Sequence, residues 1–70
     1  MNSKLFKAYM TNYGDTLATL AEAMGLSPSR LSQKINEADG ASFWQNEIAF
    51  IIQRYSLSPD EAFQIFFRRK

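Results

Sequence analysis

The feature that most limits what this chain can fold into is the stretch TLATLAEAMGLSPSRLSQKIN at positions 16–36. Leu17, Leu20, Ala21 and Met24 recur at spacings of three and four, which marks the buried face of a short helix. Asp15 or Thr16 can cap that helix by accepting hydrogen bonds from its unpaired backbone N–H groups, and Gly25 ends it. Leu26 is a lone apolar anchor in the turn. Ser27 followed by Pro28 then reads as a cap with proline at the first helical position, where a missing N–H costs nothing. Leu31 and Ile35 are the apolar contacts of this next helix, and Ser29, Arg30, Ser32, Gln33 and Lys34 point elsewhere. Two helices that cross steeply need a small residue where they approach, here Ala21, and a glycine at the turn. They also need apolar pins on both sides, and Leu20, Met24, Leu26 and Leu31 supply them.

The flanking segments continue the helical pattern. Leu5, Phe6, Tyr9, Met10 and Tyr13 draw one stripe on a first helix that Gly14 stops. Positions 37–42 contain Asp39 and Gly40 and read as a loop. Ser42 can cap a fourth helix, about 43–55, whose face carries Trp44, Ile48, Ile51, Ile52 and Tyr55 and is widened by Phe43 and Phe50. Ser58-Pro59-Asp60-Glu61 has the spacing of a capping box, so a fifth helix, about 59–68, begins there. It is lined by Ala62, Phe63, Phe66 and Phe67, with Ile65 on its flank. No β alternation or internal repeat appears. The expectation is all-α: five short helices in one compact domain over positions 1–70.

Composition removes several function classes. The 70 residues include neither cysteine nor histidine, so no thiolate metal site or disulfide framework is available, and the commonest metal ligand and general base are missing. Asp60 and Glu61 are explained by a helix start and Glu22 by a helix surface, and no serine or threonine has a base partner. The reading is therefore of a protein that is not an enzyme and uses no metal or cofactor. Nothing approaches a membrane span or a signal peptide's apolar run, which suggests a cytoplasmic protein. The net charge is only +1, but its distribution is uneven: Arg30 and Lys34 are the only charges across positions 25–36, and the chain ends Arg68, Arg69, Lys70.

The words LAEAMGLSPSRLSQKIN, the aromatic Phe43 with the EIAFII run after it, and LSPDEAFQIFF resemble the Cro and lambda-repressor-like (XRE-type) helix-turn-helix family, especially its compact phage-type members. The resemblance covers about positions 13–67. It implies a five-helix fold, sequence-specific binding to double-stranded DNA, usually as a dimer on a two-fold symmetric site, and control of transcription by a regulator of the Cro or repressor type. One position departs from the pattern. Many members carry an aliphatic residue three after the one matching Leu31, where this chain has Lys34 followed by Ile35. Taking Ile35 as the core anchor leaves Lys34 exposed.

A recognition helix enters the major groove, reads base edges with polar side chains and grips phosphates with cations and backbone N–H groups. On that logic Ser29, Arg30, Ser32 and Gln33 are the expected base readers, Gln33 by pairing bidentately with adenine and Arg30 with guanine. Thr16, Ser27, Lys34 and Asn36 are the expected phosphate contacts. A different class of function competes: a protein-interaction module that keeps this architecture and binds a partner through its aromatic C-terminal half. Helices four and five carry more aromatic surface than one small core needs. A homodimer interface there, with Trp44, Phe63, Phe66 and Phe67 as candidates, accounts for the excess.

Overall fold

Local capping sets most of the helix boundaries. In a computed structural model that describes residues 1–67, the first helix, α1, runs Ser3–Tyr13 and starts where the Asn2 side chain accepts from the Leu5 N–H at 3.1 Å. Gly14 ends it with φ 93°, a left-handed conformation in which its own N–H and that of Asp15 turn back to the last free carbonyls of the helix. The second helix, α2, Leu17–Met24, is capped by Thr16, whose hydroxyl accepts from the Thr19 N–H while the Thr19 hydroxyl accepts from the Thr16 N–H. Gly25, φ 74°, closes it, and the Leu26 N–H reaches the Ala21 carbonyl at 2.8 Å. The third helix, α3, Pro28–Asn36, begins on Ser27, whose Oγ accepts from the Arg30 N–H.

The second half follows the expected plan with two differences at the boundaries. A single 3-10 turn, Ala38–Gly40, occupies the loop, and the fourth helix, α4, runs Gln45–Tyr55. Its cap is not Ser42. Trp44 stands at the N-cap, and the Glu47 carboxylate reaches back to accept from the Trp44 N–H at 2.8 Å. The fifth helix, α5, is α-helical only over Pro59–Ala62, where Ser58 and Glu61 form the expected reciprocal cap, and the chain then winds a wider π turn over Phe63–Phe67. The expected end at 68 and the basic tail lie outside the described residues. Among the described residues there are five α-helices and no strand.

The core sits where α1, α2, α3, α4 and the C-terminal segment converge. Phe6, Leu20, Leu31, Ile35, Ile51 and Ile65 are fully buried there. Phe43 lies in the loop before α4, half-buried, with its ring 5.6 Å from that of Phe6 and 6.0 Å from that of Phe66, so three aromatic side chains tie the two ends of the chain to its middle. The Asn2 N–H donates to the Ile65 carbonyl at 2.7 Å and the Tyr9 hydroxyl to Glu61 at 2.9 Å, which fastens α1 to the C-terminal segment. The tyrosine's bond lowers the Glu61 pKa, though less than the Ser58 backbone does, and raises its own. Among the described residues no helix is long and apolar enough to cross a membrane, and no group of three acidic residues could hold a metal ion.

Candidate nucleic-acid interface

A free helix face needs its opposite face buried, and α3 meets that condition. Leu31, Lys34 and Ile35 point inward, at the i, i+3, i+4 spacing of one helical stripe. Diametrically opposite, Ser29, Gln33 and Asn36 stand one turn apart on the exposed side, with Arg30 exposed on one flank and Ser32 half-buried on the other. The Arg30 guanidinium donates to the Gln33 amide oxygen at 3.4 Å, and the Asn36 amide donates to Ser32 at the same distance. Both are long contacts on an exposed surface, so each side chain can exchange its partner for a ligand at little cost. Asn36 shares the outward stripe with Gln33 rather than standing apart at the helix end.

The N-termini of α2 and α3 each carry one of the expected phosphate contacts. Thr16 and Ser27 are both exposed, and both hydroxyl oxygens already accept a backbone N–H. The Ser27 hydroxyl proton can still donate outward, and that of Thr16 is engaged by the Thr19 hydroxyl oxygen at 3.5 Å, a long contact that a ligand can displace, so capping and anion contact are compatible roles.

Lys34 is a correction. Its side chain is 2% exposed, with Nζ donating to the Ser42 carbonyl at 3.0 Å and to Glu47 Oε1 at 3.1 Å, and lying 4.9 Å from the centre of the Trp44 ring. It cannot reach a phosphate from there. Taking Ile35 as the core anchor is right, yet Lys34 is core as well. The inward stripe of α3 is wide enough for both, and a carboxylate, a carbonyl and an aromatic face replace the water that Nζ loses on burial. The same Glu47 oxygen serves the α4 cap and this ion pair, so one carboxylate fixes both the start of α4 and the rotation of α3 against it.

A second polar cluster, which joins Asp15, in the sequence no more than a possible cap, to Arg54, Tyr55 and Thr19, holds α2 from behind. The Asp15 side chain is 4% exposed and accepts from Arg54 through two nitrogens, at 2.8 and 2.9 Å, from the Tyr55 hydroxyl at 2.7 Å and from Thr19 at 2.8 Å. The Arg54 guanidinium, aided by the Tyr55 and Thr19 hydroxyls, holds the Asp15 carboxyl far below the usual carboxylate range against the opposing pull of burial. Burial first and the Asp15 carboxylate second push the Tyr55 phenol up. Tyr13 packs over the pair, 5.3 Å from the guanidinium and 5.0 Å from the Tyr55 ring. The cluster joins α4 to the loop that caps α2, so it fixes where the Thr16 end of α2 lies.

The aromatic half divides. Phe66 is 9% exposed and belongs to the core, which removes it from the candidate dimer surface. Phe63 and Phe67 are 55% and 62% exposed, with rings 6.4 Å apart, and form an uncovered apolar pair. Trp44 is also exposed but is turned toward α3, over Lys34.

Comparison with known proteins gives no relative: no family model, curated protein or solved structure matches this chain.

Proposed function

We propose that this chain binds double-stranded DNA in a sequence-dependent manner and regulates transcription, inserting α3 into the major groove. The observation that carries the reading is the α3 surface: an inward stripe locked by Leu31, Ile35 and the Lys34 ion pair, and an outward stripe of Ser29, Gln33 and Asn36 flanked by Arg30. The outward side chains are those suited to base edges, and both adjoining helix N-termini carry an exposed hydroxyl. Two copies joined through Phe63 and Phe67 would form the two-fold regulator, with half-sites about one helical turn, ~34 Å, apart. The same exposed pair also favours a second reading, in which it docks a different protein.

Selection from a random duplex library, followed by anisotropy at ~50 mM salt, tests the proposal. The expected outcome is a preferred site bound more tightly than the non-specific range of ~10⁻⁴ to 10⁻⁶ M. Replacing Arg30 and Gln33 together by alanine relaxes the preference, because each bidentate base contact contributes about 1–3 kcal/mol of discrimination. Failure to enrich any sequence refutes the reading and leaves the protein-docking alternative.

A further inference from the structure

Beside the α3 face lies a cleft of about 500 Å³, walled by α1, the start of α2 and the C-terminal half of α3. That volume is within the ~300–1,000 Å³ typical of small-molecule sites. Its deepest residues are apolar: Met10 and Ile35 are buried and Leu17 half-buried. Thr11, Thr16 and Ser32 on its walls are short hydroxyl residues, which leave the space open and offer it hydrogen-bonding groups. Two charged residues line it. Asp15 is already neutralised by Arg54, whereas Lys7 is exposed and has no ion-pair partner among the described residues. An occupant therefore meets an apolar floor, hydroxyl groups on the walls and one positive charge.

We propose that the cleft binds a small amphiphilic anion, an apolar ring or short chain bearing one carboxylate, sulfonate or phosphate, and that its occupant excludes DNA from the Ser32 and Asn36 edge of α3. The first half stands on the cleft alone, and the second rests on the DNA-binding reading. The apolar body displaces water from the side chains of Met10, Leu17 and Ile35, and the anion pairs with Lys7 while accepting from the wall hydroxyls. Because Ser32 and Asn36 belong both to the cleft and to the proposed interface, ligand and DNA compete for the same two side chains.

The probe is naphthalene-2-sulfonate, titrated into the labelled protein and followed by amide chemical shifts. Saturable shifts at Lys7, Thr11, Leu17, Ser32 and Asn36 are expected. Affinity falls about three- to fivefold in Lys7→Gln, the loss of one exposed ion pair, and by a similar factor for the uncharged naphthalene-2-methanol. Thr11→Phe, on an exposed position of α1, narrows the cleft with a ring and is expected to abolish the shifts while the circular dichroism stays unchanged. Shifts centred on Phe63 and Phe67, undiminished binding by Lys7→Gln or Thr11→Phe, or equal shifts with inorganic phosphate alone would each overturn the site. At saturation the probe raises the apparent Kd of the wild-type chain for its selected duplex but leaves that of Thr11→Phe unaltered. An unchanged wild-type Kd despite intact probe binding overturns the exclusion, and a chain that selects no duplex fails the DNA-binding reading while the probe titration still decides the site.

Discussion

Replacing Lys34 separates a buried structural cation from a phosphate-gripping one. The inward position predicts that Lys34→Ala costs about 3–5 kcal/mol, the penalty for removing one partner of a buried ion pair. Two contributions make up that figure. Truncation to alanine removes three buried methylenes, worth ~0.8 kcal/mol each. It also strips the charged partner from Glu47 and the donor from the Ser42 carbonyl. Glu47 is 15% exposed and keeps the Trp44 N–H, so water and the cap recover part of the second contribution and the lower end of the range is expected. Lys34→Met with Glu47→Gln replaces the pair by groups of similar volume, keeps an acceptor for the Trp44 N–H, and stays within about 1 kcal/mol of the parent. Urea denaturation followed by far-ultraviolet circular dichroism measures both variants. A cost below about 1 kcal/mol for Lys34→Ala, the figure for an ordinary exposed lysine, refutes the burial argument. The double variant also separates the two roles on DNA: the salt slope of binding is unchanged if Lys34 is internal, and falls by about one if it contacts a phosphate.

Four further outcomes follow from the same geometry. Asp15→Asn leaves Arg54 without a counter-charge and is expected to cost about 3 kcal/mol in urea denaturation, the low end for a buried pair because Arg54 is 25% exposed. Since the Asp15 carboxyl is held low in the folded chain, its stabilisation is complete above the unfolded value of ~3.9 and drains as pH falls below it, so the loss of stability between pH 7 and pH 3 is smaller in Asp15→Asn than in the parent. Ser56, φ 52°, closes α4 in a left-handed conformation without a glycine's freedom, and Ser56→Gly is expected to stabilise by about 0.5–1 kcal/mol, read as a rise in Tm. Phe63→Ser with Phe67→Ser is expected to shift sedimentation from dimer to monomer with the fold intact; a parent chain that is monomeric at every concentration removes the homodimer and favours a different protein on that surface.

What the sequence showed of this fold was whatever is encoded within four or five residues. Gly14 and Gly25 end their helices, Ser27-Pro28 and Ser58-Pro59 begin theirs, and Thr16 caps α2, because caps and turns close over the residues that specify them. Ser42 failed as a cap since its neighbour Trp44 stands three before Glu47, and the carboxylate serves the N-terminus from inside the helix. The π turn over Phe63–Phe67 had no signal, as Ala62, Ile65 and Phe66 carry ordinary α spacing. Lys34 is the instructive case. Positions 31, 34 and 35 form one stripe, so periodicity placed Lys34 inside while residue type placed it outside, and the deciding partner, Glu47, lies thirteen positions away. The Asp15 cluster was unreadable for the same reason, with Arg54 and Tyr55 thirty-nine and forty positions distant.

Moving Lys34 into the core changes what the proposed interface must rely on. Arg30 is left as the only cation on α3, and Arg54, the one basic residue of α4, is committed to Asp15. Each neutralised phosphate contributes ~0.9 to the salt slope of DNA binding, so with one cation per α3 the recognition helices of a dimer supply a slope of at most about two, and less where Arg30 pairs with a base instead. Such an interface has little non-specific affinity to draw on. Discrimination then has to come from Ser29, Gln33 and Asn36 at base edges, and from the second copy that doubles them. The weak net charge, which counts against a non-specific DNA coat, is what a regulator dependent on matched contacts and on pairing would carry.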